Sequence, residues 1–191
     1  MNQLVVATGN PGKLAEFRQL LLGRVEHILS SADVAAPEVV EDQPTLEGNA
    51  LKKARTLHRF TGLPALADDT GLEVTSLDGR PGVYSARYAG PDCSPQDNIR
   101  KLLGELEHAS DRSARFRTAI ALVSDQGETV VEGICAGTIL RSPLGEGGFG
   151  YDPIFQPDGE TLTFAQLPAE RKNVISHRGR ALQALLEAIP W

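Results

Sequence analysis

Only two cysteines, one tryptophan and one methionine occur in the 191 residues, and no uninterrupted apolar stretch approaches the roughly 18 residues that a bilayer-spanning helix needs. Cys93 and Cys135 are too few for a disulfide scaffold and lack the paired spacing of a zinc site, so reduced thiols in a cytoplasmic protein are expected. The N-terminus has no basic segment leading into an apolar one, and neither secretion nor membrane insertion is expected. Basic residues form no run, and the formal net charge is −6, which would repel a nucleic-acid backbone. A small polyphosphate asks for less: a few local cations and a metal suffice inside an acidic protein. The composition, 41% hydrophobic and 23% charged, is that of a globular chain and excludes disordered and fibrous classes. The length suits a single domain over residues 1–191.

Hydrophobic patterning alternates between strand and helix signals. Leu4-Val5-Val6-Ala7 reads as a buried strand, and Thr8-Gly9-Asn10-Pro11-Gly12 as a tight turn. Asn10 is placed to cap a helix with Pro11 in its first position and Leu14, Phe17, Leu20 and Leu21 on one face. Val25 to Leu29 reads as a second strand, and Thr45 as the cap of a helix that runs to Gly62 with Leu46, Ala50, Ala54 and Leu57 inward. Ala65-Leu66-Ala67 reads as a strand that ends in Asp68-Asp69-Thr70-Gly71. Ile99, Leu102, Leu103 and Leu106 mark an amphipathic helix. Phe116 to Val123 and Thr129 to Ala136 flank Asp125-Gln126-Gly127 as a hairpin, and a closing helix starts near Ser176 and ends at Pro190. A mixed sheet flanked by helices, in the α/β class, is the expected architecture.

Four segments carry chemistry. In Thr8, Gly9, Asn10, Pro11, Gly12 and Lys13, loop amides and a helix N-terminus can converge on an anion. Lys13 opposes the helix dipole there unless a phosphate lies between; an ordinary turn with a solvated lysine is the alternative. The spacing is not that of a Walker A loop. Asp68 and Asp69, with Glu41 as a distant partner, suit Mg²⁺, which takes oxygen ligands and bridges carboxylates to phosphates. One of these carboxylates can also deprotonate an attacking water; a surface turn is the alternative. In Gly148-Phe149-Gly150-Tyr151-Asp152-Pro153 the glycines allow close backbone approach and an aromatic ring can take a base, unless both rings belong to the core. Lys172 and Ser176-His177-Arg178 put cations at a helix start, where an electronegative group such as a purine oxo substituent would complete them; exposed basic residues are the alternative.

Taken in order, these segments, together with Asn49-Ala50, Lys53-Ala54 and Pro81 through Gly90, resemble the non-canonical purine NTP pyrophosphatases, the RdgB-like inosine/xanthosine triphosphatases, over nearly the whole chain. The resemblance implies an elongated central mixed sheet with two lobes around a nucleotide-binding cleft, and a homodimer. It implies Mg²⁺-dependent hydrolysis of ITP, dITP and XTP to the monophosphate and pyrophosphate, clearing deaminated purines from the nucleotide pool. On that footing Thr8, Gly9, Asn10, Pro11, Gly12 and Lys13 hold the triphosphate. Asp69 is the proton acceptor and a metal ligand, Glu41 is the other metal-associated carboxylate, and Thr70 touches substrate. Phe149, Gly150, Tyr151, Asp152, Lys172, His177 and Arg178 surround the nucleoside.

Two departures from the family pattern stand out. Gly48 occupies a place often held by Glu, which leaves Glu47 beside Glu41 as a candidate second carboxylate, and Thr70 replaces Ser while keeping the hydroxyl. Donors from His177, Arg178 or nearby amides would pair with a 6-oxo group and be left unpaired by adenine. A Maf-like pyrophosphatase acting on other nucleotides and a nucleotide-sensing module without turnover are the competing readings; carboxylates beside phosphates count against the second.

Overall fold

The computed structural model describes residues 1–189, so the expectation that Pro190 ends the last helix lies outside the described residues. The strands are β1 (Gln3–Val6), β2 (His27–Ser30), β3 (Ala65–Val74), β4 (Pro81–Gly82), β5 (Ser113–Ser124), β6 (Gly127–Ile139) and β7 (Phe155–Pro157). The helices are α1 (Pro11–Leu20), α2 (Leu46–Thr61), α3 (Pro95–Glu105), α4 (Ala169–Ile175) and α5 (His177–Ala188). Strand order is β2-β1-β3-β5-β6-β7, with β4 paired to β3. The sheet is mixed, as expected: β1 runs parallel to β2 and β3, while β4 is antiparallel to β3 and β7 to β6. Among the described residues no helix is long and apolar enough to cross a membrane.

The chain divides into two compact units. The first comprises Met1–Asp69, Thr118–Gly133 and the residues from Arg178 on; the second comprises Thr70–Arg117 and Ile134–His177. In the first, Leu4 and Val6 of β1, Phe17 of α1 and Leu21 at its end, Leu66 of β3, Ile120 of β5 and Ala181, Leu182 and Leu185 of α5 make one apolar cluster. In the second, Leu72 and Val74 of β3, Ile99 and Leu102 of α3, Phe116 of β5, and Phe155 and Phe164 make another.

Helix signals in the sequence are realised closely. Asn10 Oδ1 accepts from the amides of Gly12 and Lys13, Thr45 caps α2 through the Gly48 amide, and Gly62 closes α2 in a left-handed conformation at φ 68°. Leu46, Ala50, Ala54 and Leu57 are all buried. The main departure is in β3. The sequence suggests a strand that stops at the aspartates, yet β3 runs unbroken for ten residues through Asp68, Asp69, Thr70 and Gly71. Two things permit this: the carboxylates find cations on other elements, and Gly71 lets β4 approach, since a Cβ there would lie 2.7 Å from the Gly82 carbonyl oxygen. The hairpin strands β5 and β6 are also longer than their apolar cores suggest.

Candidate functional site

In the first unit, β3 carries Asp68 and Asp69 into the interior, 1% and 6% exposed. Burying adjacent carboxylates is costly without partners. Asp68 Oδ2 lies 3.0 Å from Lys13 Nζ and accepts from Arg178 Nε at 3.2 Å and Nη2 at 3.0 Å. Burial alone would raise its pKa, but Lys13, Arg178 and Lys53 together hold the carboxyl far below the usual range. Arg178 is itself 1% exposed, and its Nη1 bonds Glu16 Oε2 at 2.5 Å. Resemblance implies that Arg178 surrounds the nucleoside; the structure places it as a buried clamp joining Asp68 on β3 to Glu16 on α1.

Asp69 stands in a different environment. Its Oδ2 accepts from Asn49 Nδ2 at 2.9 Å, and its Oδ1 is 4.0 Å from Lys53 Nζ. Burial, with the neighbouring negative charge of Glu41, raises its pKa, and Lys53 and Asn49 only partly counter this. Lys53 Nζ reaches Glu41 Oε1 at 2.5 Å and the Asp68 carbonyl at 2.6 Å. Burial works to lower the Lys53 pKa, but Asp68, Glu41 and Asp69 outweigh it and the ammonium is held above its usual value. Two adjacent carboxylates are thus driven apart: Asp68 is locked as an anion, while Asp69 is biased toward taking a proton.

These residues bear on where a metal would sit. Lys13, Lys53 and Arg178 face Glu16, Glu41, Asp68 and Asp69, three cations against four carboxylates. Lys53 lies between Glu41 and Asp69, and burial together with the charge of Glu41 pushes the Asp69 pKa up. Oxygen-rich surroundings of net negative charge suit a hard divalent cation, and among the described residues no three such side chains converge into a ready-made metal cluster. Glu41 acts on Asp69 through its charge and shares Lys53 with it.

The phosphate-loop residues show how α1 is held. Thr8 is buried; its Oγ1 accepts from the Asn10 amide at 3.1 Å and its carbonyl accepts from Ser31 Oγ at 3.1 Å. The amides of Gly12 and Lys13 are turned onto Asn10 Oδ1 at 2.9 and 3.2 Å. The anion-attracting element of this loop is therefore chiefly Lys13, one-fifth of whose side chain is open to solvent. Burial, with Arg178 and Lys53 nearby, holds its ammonium below its usual pKa despite Asp68, so an arriving anion would be favoured electrostatically. A Cβ at Gly9 would meet nothing within 4 Å, so that side of the loop is open.

In the second unit, Asp152 organises the glycine-rich loop. Its Oδ2 accepts from the Phe149 amide at 2.9 Å and from Lys172 Nζ at 2.8 Å, and the residue is 3% exposed. Gly148, at φ +70°, lies so close that any Cβ would collide with that carboxylate. Lys172 Nζ also sits 4.9 Å from the Phe149 ring centroid. Phe149 and Gly150 are half-buried, whereas Tyr151 belongs to the apolar core and donates to the Ser85 carbonyl at 2.9 Å. Of the two rings in the loop, Phe149 is the less buried. His177 is buried and stacks on Phe116, centroids 4.5 Å apart at 19°. Thr70, half-buried, follows Asp69 directly on β3.

Sequence reading gave no role to Asn49, Lys53 or Glu16. The first two are separated by one helical turn on α2 and share its inward face, a spacing that polar residues inside an apolar stripe could have disclosed.

Comparisons with known proteins cover nearly the whole chain. The Ham1 family matches residues 4–188. A dITP/XTP pyrophosphatase of Geobacter sulfurreducens is 52% identical over 100% of this chain and 98% of its own, and one of Porphyromonas gingivalis is 49% identical over 97% and 96%. The solved structure of a HAM1 protein from Coxiella burnetii superposes with a TM-score of 0.89 at 41% identity, covering 98% of each chain.

Proposed function

The chain belongs to the Ham1 family, and from that we propose that it hydrolyses dITP, ITP and XTP to the nucleoside monophosphate and pyrophosphate, with Mg²⁺ required and Asp69 as proton acceptor. The observation that carries this reading is the split between the two aspartates. One is clamped as an anion by Lys13 and Arg178; the other, next to it, accepts from Asn49, lies 4.0 Å from Lys53 Nζ, and has its pKa raised by burial. The related enzymes of Geobacter sulfurreducens and Porphyromonas gingivalis bear the name dITP/XTP pyrophosphatase, which supports the substrate class.

In the proposed reaction water is added across the α–β phosphoanhydride. One proton of the water passes to the Asp69 carboxylate as the new P–O bond forms, and the bridging P–O bond breaks to free pyrophosphate. Lys13 offsets charge on the phosphates, and Asp68 fixes Lys13 in place for that role. Glu41 and Asp69 would hold Mg²⁺, which when bound offsets phosphate charge and lowers the pKa of coordinated water. On the family resemblance, Phe149 would lie against the base, and Lys172 or His177 would donate toward a 6-oxo group. Adenine presents an amino group there, so ATP is a poor substrate. A homodimer, with the same house-cleaning role as the resemblance implies, completes the proposal.

The direct test is Asp69→Asn, which keeps shape and the Asn49 contact while removing the base. The variant is expected to fold and to bind Mg-ITP, with turnover lowered about 10²-fold or more. Near-normal turnover would remove Asp69 from this role.

A further inference from the structure

Asn49 is 1% exposed on the first turn of α2, and its two amide atoms are both engaged across different segments. Nδ2 donates to Asp69 Oδ2 at 2.9 Å, and Oδ1 accepts from the Gln43 backbone amide at 2.9 Å. A carboxylate can only accept and a backbone amide can only donate, so the orientation of the Asn49 amide is fixed by its partners. Gln43 lies two residues beyond Glu41 and next to Asp42 on the same loop, and Asp42 is itself held to α2 by Lys52 Nζ at 2.7 Å. One planar amide therefore ties the Glu41 segment to the Asp69 side chain. Gly48 makes the approach possible: a Cβ there would stand 2.9 Å from Gln43 Cβ.

We propose that Asn49 is a positioning residue for the reaction, orienting the Asp69 carboxylate and setting its spacing from Glu41; this rests on the reading of Asp69 as proton acceptor. Asparagine suits the place because it offers one donor and one acceptor on a short, rigid stem. Aspartate would face a carboxylate with a carboxylate, and glutamine would be a methylene too long.

The two halves of the contact are separable. Asn49→Asp keeps the acceptor for the Gln43 amide and removes the donor to Asp69; Asn49→Ala removes both. Steady-state dITP hydrolysis, thermal unfolding and Mn²⁺ binding to the resting protein are measured on each, with Asp69→Asn alongside. Asn49→Asp is expected to fold, to lose about 10- to 100-fold in kcat and to change KM by less than about threefold. Asn49→Ala is expected to bind Mn²⁺ several-fold more weakly, a readout independent of turnover. A wild-type kcat in Asn49→Asp, a loss confined to KM, or failure of that variant to fold would overturn the proposal, the last because Asn49 would then be structural. Unchanged Mn²⁺ binding in Asn49→Ala would overturn the spacing role. If Asp69→Asn is inactive while Asn49→Asp is normal, only the positioning role falls. If Asp69→Asn is active, the catalytic reading falls first.

Discussion

Asp68 shows at the scale of one residue how stability and function can share a charge. Because its folded-state pKa is depressed, the unfolded chain binds a proton more readily, so its contribution to stability is present above the ordinary carboxylate range of about 4 and declines as pH falls below it. Acid unfolding of the wild type should therefore steepen below about pH 4, and Asp68→Asn should flatten that slope when unfolding is followed by circular dichroism across pH. Asp68→Ala would leave Lys13 and Arg178 without their shared carboxylate, an expected loss of about 3–5 kcal/mol in urea unfolding. An equally acid-sensitive Asp68→Asn would show that other groups dominate. Arg178 is legible in part: its place at a helix start marks it as a cation wanting an anion, and the fold adds Glu16 and Asp68, far away in sequence, as partners. No local pattern encodes such a partner.

Among the elements, the helices were readable because their apolar faces repeat at helical spacing and their caps follow fixed chemistry. Asn10 illustrates the strength of that chemistry, and Asn10→Ala should cost about 0.5–2 kcal/mol by loss of the α1 cap, measured by denaturant titration. β3 was only half readable. Its carboxylates mimic a strand end, and the cations that let the strand continue arrive from α1, α2 and α5. Gly71 is the local sign that was missed, since a residue inside a strand with no side chain marks close backbone approach. Gly71→Ala should push β4 from β3 and destabilise by about 1–3 kcal/mol; a neutral effect on thermal unfolding would mean that β4 yields easily. The glycine-rich loop behaves likewise. Gly148 makes room for the Asp152 carboxylate, while a Cβ at Gly150 would meet nothing within 4 Å.

For the molecule as a whole, the order of the motifs carried more than any motif alone. Family, fold class and the sheet's mixed character were legible from that order, while the grouping of Lys53, Asn49 and Glu41 around Asp69 emerged only from the fold. The proposed chemistry has a single overall signature, the position of bond cleavage. Phosphorus NMR of reactions with dITP, XTP and ATP, each with and without Mg²⁺, reads that position directly. Equal amounts of monophosphate and pyrophosphate from dITP and XTP, little product from ATP and none without the metal are expected. Release of orthophosphate and a diphosphate, or undiminished turnover after chelation, would contradict it.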